Sequence, residues 1–248
     1  MKLLFITGSR GEWGYIRPVL EICKKKKINY KLCVTNMHLL DSFGSSINEI
    51  KNDGFKVHET IYMALDGYNN ITMAKSLGVL MVSLADVVSR LKPDWIILAG
   101  DRGETLLASF IGVNYALPIL HFQGGDLSGN IDEIFRHSIT KLSNFHFSSN
   151  SISKKRIISL GENPKNVFNH GDNHLDRIEM VKKFNLDDLL TKTNLNKKFL
   201  KNYVIMHYHP ETYNLSSEYK NTKTIIQTLI KCNYNIICMY PCNDQGYK

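Results

Sequence analysis

No stretch of the chain strings together the roughly 20 apolar residues that a membrane-spanning helix needs. The apolar run after Met1 is also too short for a secretory signal and stops in a glycine turn at Gly8. A soluble, cytoplasmic protein with no membrane partner is therefore expected. Metal spacing is missing too: the five cysteines, at 23, 33, 232, 238 and 242, form no CxxC and no zinc-type pairing with histidine. They read as reduced structural thiols, and Cys238 and Cys242 follow an apolar strand. Neither GxGxxG nor GK[ST] occurs, which excludes a dinucleotide fingerprint and a P-loop. Acidic residues are in deficit, 23 against 31 lysines and arginines, for a net charge of +8. The lysines are scattered, as in Lys24–Lys27 and Lys197-Lys198, without interleaved aromatics. They read as solvated helix faces rather than as a nucleic-acid footprint, and no nucleic-acid partner is expected. The same basic field suits an anionic nucleotide.

What is present is regular alternation. With 248 residues, 43% of them hydrophobic, the chain can bury a normal core. Apolar runs at Leu3–Thr7, Tyr30–Thr35, Val57–Tyr62, Asp94–Ala99, Ile119–Phe122, Phe145–Ser148 and Val167–Asn169 predict strands. Helical patterns separate them, including a long one from Ile71 to Leu91. Strand–helix alternation predicts a parallel sheet with helices on both faces, an α/β fold. Gly8 to Gly14 reads as a glycine loop, with a helix from about Tyr15 to Lys26 and Pro18 near its first turn. His170-Gly171-Asp172-Asn173 marks a composition break, so residues 1–170 and 171–248 are expected to be separate domains. The second shows a helix at Leu175–Phe184, a polar stretch, a strand at Tyr203–Met206, a helix at Ser217–Lys231 and a strand at Asn235–Met239. Two strands are too few for a complete doubly wound domain, so this domain is expected to be incomplete and to expose apolar surface.

The chemistry gathers in IILAGDRGETLLASFIGVNYALPILHFQGGDLSGNIDE, residues 96–133. Two consecutive strands end in acidic glycine turns, Gly100-Asp101-Arg102-Gly103 and Gln123-Gly124-Gly125-Asp126, and Asp132-Glu133 opens the next helix. The carboxyl edge of an open α/β sheet is where ligands bind. Crowded carboxylates push their pKa values apart, which suits proton abstraction and leaving-group protonation. Each acid taken singly also reads as a helix cap. Arg10, in the first turn, either forks onto a phosphate or is a solvated turn residue. Trp13 either stacks on a base or sugar or packs on the first helix. His121 reads as a satisfied core histidine; His137 either faces the site or caps its helix. His209, leaving the Tyr203–Met206 strand, is placed to act as an acid, a base or a phosphate ligand.

TGSRGEWGYIRP, FGSSINEIKNDGF, AGDRGETLLAS, LPILHFQGGDLSGNIDEIFRHSITKLSNFHF and VIMHYHPE together resemble the hydrolysing UDP-N-acetylglucosamine 2-epimerases of sialic- and legionaminic-acid synthesis. The resemblance covers nearly the whole chain. It implies two Rossmann-like domains of the GT-B type, with the end of the chain falling before the uridine-anchoring half of the second domain, so the chain resembles a C-terminally truncated member. It implies elimination of UDP across C1–C2 to a glycal, hydration to N-acetylmannosamine, and no metal or redox cofactor. The alternatives are the same chemistry on a UDP-2,4-diacetamido-2,4,6-trideoxyhexose, or an inactive sugar-nucleotide-binding fragment. By this resemblance the catalytic groups are Asp101, Asp126, Asp132, Glu133 and His209, and the substrate contacts are Arg10, Arg102, Gln123 and His137. It also implies a homo-oligomer for the full-length form. The chain departs from the family pattern with Asp126 for glutamate, Gln123 for histidine, and His170-Gly171-Asp172-Asn173 for Gly-Ser-Pro.

Overall fold

The computed structural model describes residues 1–67, 69–180, 185–211 and 215–242. The chain divides into two compact units, Met1–Glu179 and Met180–Lys248. In the first, seven strands form one parallel sheet: β1 (Lys2–Thr7), β2 (Asn29–Thr35), β3 (Glu59–Ile61), β4 (Trp95–Ala99), β5 (Ile119–Phe122), β6 (Phe145–Ser148) and β7 (Val167–Asn169). Their order is β3-β2-β1-β4-β5-β6-β7, the doubly wound α/β arrangement. Strand order reverses between β1 and β4, and that switch point opens a crevice at the carboxyl ends of the strands.

The side-chain period of two explains how both sheet faces are covered. Leu4 and Ile6 of β1 join Ile96 and Leu98 of β4 in one core, under α3 (Asn70–Leu91), α4 (Gly103–Asn114) and α5 (Ile131–Leu142). Phe5 and Ile97 point the other way, into a core with Ile16 and Leu20 of α1 (Arg10–Lys25) and Ile50 of α2 (Ile47–Asn52). Each such fully buried side chain contributes about 1.5–3 kcal/mol relative to exposure.

Three local expectations change. The first helix begins at Arg10 rather than near Tyr15, because Ser9 is its N-cap and accepts the Glu12 amide at 3.4 Å. The predicted glycine loop is thus a turn of helix, and Pro18 lies in the helix interior. Gly14 is a glycine within the helix because another segment presses on that face. The His174 imidazole of α7 (Asn173–Met180) donates to the Gly11 carbonyl at 3.3 Å, stacks on Tyr15 at 3.8 Å, and occupies the space a Cβ on Gly14 would take. Second, α3 is long and apolar enough to cross a membrane by length and composition, contrary to the expectation of no such segment. Here it packs Leu80, Leu84, Val87 and Val88 into the core. Its outer stripe, Ile71, Val79 and Val82, stays exposed. Third, the polar stretch after α7 contains a further helix, α8 (Leu186–Thr193), capped by Asn185 on the Asp188 amide at 2.8 Å. The expected continuation of α7 to Phe184 lies outside the described residues.

Within the second unit, β8 (Tyr203–Met206) and β9 (Asn235–Cys238) pair in parallel, joined by α9 (Leu215–Lys231). Tyr203 and Ile205 of β8, and Tyr219 and Ile230 of α9, are exposed.

The contact between α1 and α7 yields a sign-reversing test. Gly14→Ala should lower the melting midpoint by displacing His174. In a His174→Ala background the same substitution should raise it, because alanine is favoured over glycine by about 1 kcal/mol inside a helix. Thermal unfolding of the four proteins reads this directly.

Candidate active site

Register places the two acidic turns side by side. Ala99 of β4 pairs with Phe122 of β5, and the Gly100 amide donates to the Phe122 carbonyl at 3.1 Å. Asp101 and Asp126 therefore leave the sheet from adjacent strands at one level. Between them stands Arg136 of α5, only 9% exposed. It ion-pairs with Asp101, donates to the Asp126 carbonyl at 2.8 Å and reaches Ser128 Oγ at 3.4 Å. Burial lowers the Arg136 pKa, while the nearby Tyr15 opposes the shift. Arg136 was not singled out from the sequence although it sits in the IDEIFRHS segment; its role depends on contacts with turns far along the chain.

Asp126 is held by serine hydroxyls. Ser153 donates to one carboxylate oxygen, Ser149 to the other at 3.4 Å. Arg156 of α6 (Ser151–Ser159) fixes the preceding turn through the Gly125 carbonyl. Gln123 begins that turn with φ +66°, in the left-handed region, where a residue with a Cβ is strained. Its amide donates to the Phe147 carbonyl at 3.0 Å, and its side-chain nitrogen is buried with no hydrogen-bond partner among the described residues. Below lies His121, fully buried, with Nε2 donating to the Gly100 carbonyl at 2.8 Å; burial pushes its pKa down to about 4. It is the neutral core histidine the apolar run predicted.

The acids at the start of α5 are engaged locally. Asn130 caps the helix by accepting the Asp132 amide at 3.1 Å, and its side-chain nitrogen reaches Asp132 Oδ2 at 3.3 Å. Glu133 accepts the Ser128 and Gly129 amides, both at 2.7 Å, which lowers its pKa. His137 follows one turn later, its Nδ1 buried without a hydrogen-bond partner among the described residues; burial first, then Arg136 and Arg156, favour the neutral ring against Glu133.

On the β1 side, Arg10 is exposed and donates to the Phe43 carbonyl at 2.9 Å. Trp13 is buried edge-on against Phe55 at 5.2 Å, which is the packing alternative rather than a stacking surface. Arg102 is the N-cap residue of α4, with Nε 3.7 Å from Glu104. A second carboxyl pair, absent from the sequence expectations, fills the switch point: Glu12 is 4% and Glu104 3% exposed. Burial, and then the neighbouring Glu104, push the Glu12 pKa up to about 7. In the second unit, His209 lies beyond β8 with its ring 4.4 Å from that of His207. Close by in that unit, a cavity of about 420 Å³ is lined by Met206, Tyr208, Glu218, Tyr219 and Met239.

Gly125 sets Asp126. It has φ +85°, and a Cβ there would collide with the Ser153 carbonyl and stand 2.8 Å from Ile157. Gly125→Ala should destabilise the protein by about 1–3 kcal/mol. Denaturant titration tests this, with Gly129→Ala, also at positive φ but in open space, expected to cost less.

Residues 20–248 match the family described as UDP-N-acetylglucosamine 2-epimerase. The chain is 33% identical over 246 residues to a UDP-N,N'-diacetylbacillosamine 2-epimerase (hydrolyzing) of Legionella pneumophila, covering 99% of this chain and 65% of that protein. It is 34% identical over 230 residues to a GDP/UDP-N,N'-diacetylbacillosamine 2-epimerase (hydrolyzing) of Campylobacter jejuni, covering 92% and 59%. It superposes on the crystal structure of the Neisseria meningitidis UDP-GlcNAc 2-epimerase bound to UDP-GlcNAc with a TM-score of 0.79 at 21% identity, over 100% of this chain and 68% of that one. The chain thus spans less than two thirds of the length of these two sequence relatives, and its α/β architecture is that of the GT-B-type 2-epimerase structures. Matched over most of its length, this chain belongs to the UDP-N-acetylglucosamine 2-epimerase family.

Proposed function

We propose that the protein is a hydrolysing 2-epimerase that converts a UDP-2-acetamido sugar to UDP and the free C2-epimer. The observation that carries the reading is the pair of carboxylates on adjacent strand ends, Asp101 against Arg136 and Asp126 between two serines. Inversion at C2 requires a proton to leave one face of the sugar and another to arrive on the opposite face. One acid takes the C2 proton as the C1–O bond breaks, and UDP departs with the bond electrons, leaving a glycal. Water then adds its oxygen at C1 while a proton is delivered to C2. Asp101 and Asp126 carry this exchange. Asp132 and Glu133 assist at the leaving group and the incoming water, and Arg10, Arg102, Gln123 and His137 contact the substrate. Greater identity to the diacetylbacillosamine enzymes favours a 2,4-diacetamido-2,4,6-trideoxy sugar over N-acetylglucosamine as the hexose. The same reading includes a homo-oligomer, built on the exposed stripe of Ile71, Val79 and Val82.

Assaying the two UDP-sugars for UDP release and free sugar tests the reaction. Turnover is expected on at least one, faster with the diacetamido sugar. Asp101→Asn should reduce kcat by at least about a hundredfold. UDP-sugar binding without turnover on either substrate points instead to a binding module. For the assembly, sedimentation equilibrium should show a dimer or larger, shifted toward monomer by Val82→Asp; a monomer at all concentrations contradicts it.

A further inference from the structure

The Glu12–Glu104 pair lies at the switch point, next to the proposed chemistry but outside it. The Gly8 amide, at the end of β1, donates to Glu12 Oε2 at 2.6 Å. Thr105 Oγ1, in the first turn of α4, lies 2.7 Å from Glu12 Oε1 and 3.4 Å from the Ala99 carbonyl that ends β4. The stem of Glu12 passes over Gly100, with Cγ 3.9 Å from where a Cβ would stand. Gly100 has φ +82° and immediately precedes Asp101. Glu104 is anchored from the β2 side by the Asn36 amide and packs against Gly8, where a Cβ would come within 2.8 Å of its oxygen. Glu12 thus meets the β1 turn directly at Gly8 and reaches the end of β4 through the Thr105 hydroxyl.

We propose that Glu12 is a positioning residue, a neutral acid that ties the turn after β1 to the turn after β4 and so holds Asp101 where it acts. The proposal rests on the carboxylate chemistry proposed above for Asp101. The charged groups facing Glu12 are Glu104 and Arg102, both at the start of α4; the β1 turn contributes only Gly8 and Ser9, and the nearby His38 is pushed down to about 4 by burial. One guanidinium facing two buried carboxyls compensates one charge, so the other carboxyl is favoured as the acid. As an acid, Glu12 satisfies every neighbour. Its carbonyl oxygen accepts the Gly8 amide, its O–H donates to Thr105 Oγ1, and the Thr105 hydrogen turns to the Ala99 carbonyl. Ionised Glu12 removes that last link and leaves a buried negative charge beside Glu104. Because the Glu12 pKa is raised from 4.5 to about 7, the stability it contributes is complete below pH 4.5 and is lost as pH rises through about 7.

Glu12→Gln mimics the neutral acid; Glu12→Ala removes the tie, and Thr105→Val cuts its α4 side while leaving the carboxyl. In steady-state kinetics at pH 6, Glu12→Ala and Thr105→Val should lower kcat, by up to about a hundredfold, with KM within about threefold, since displacing a reacting group costs rate rather than binding. The wild type's kcat should fall above pH 7, and Glu12→Gln should retain turnover without that fall. Folded Glu12→Ala with kcat within about threefold of wild type, or Glu12→Gln as impaired as Glu12→Ala, overturns the proposal. A wild type without turnover fails the functional reading instead, and melting midpoints then decide. Between pH 5.5 and 8.5 the wild type should lose about 5 °C more than Glu12→Gln; parallel curves overturn the neutral acid.

Discussion

The contact between Arg136 and Asp101 is the one on which the candidate site depends. β4 and β5 run in register and discharge two aspartates from neighbouring ends, an arrangement that like charge disfavours. A buried guanidinium is itself unfavourable unless its donors are met. Arg136 meets both needs, pairing with Asp101 while donating to the main chain of the opposite turn. Its place on α5 is fixed by the amphipathic helix, whose inward side buries Ile139 in the core. Core packing thereby sets the site geometry.

Around that contact the carboxyl edge divides its acids by environment. Asp126 sits among hydroxyls, Glu133 is engaged by two backbone amides, and Glu12 and Glu104 are enclosed at the switch point. Two neutral histidines lie beneath the edge, His121 under the β4 turn and His38 under the β1 turn, where it meets Thr7 at 3.0 Å and Ser46 at 2.7 Å. They supply hydrogen bonds without adding charge to an already charged rim.

Much of this was legible along the chain. Apolar runs ended by glycine located β4, β5 and their acidic turns, because those signals are local. The start of α1 was not, since Gly11 and Gly14 read as a loop until His174 is seen on the same helix face. Arg136, Glu12 and Glu104 escaped for the same reason: a charged residue in an amphipathic helix looks solvated unless the partner that buries it is known. α3 was read as a long helix, but Thr72, Lys75, Ser76 and Ser83 interrupt its apolar run and hid that its length and composition would also suit a membrane span. α8 escaped because it buries no residue, leaving its cap as the chief sign.

In the proposed reaction this edge moves protons at C2 while the C1–O bond breaks. Turnover of the UDP-sugar in D₂O, with the product examined by NMR, tests it most directly. One solvent deuteron at C2 of the freed, epimerised sugar and a transient glycal are expected. Product carrying the original proton at C2, or UDP released with the starting configuration retained, would contradict it.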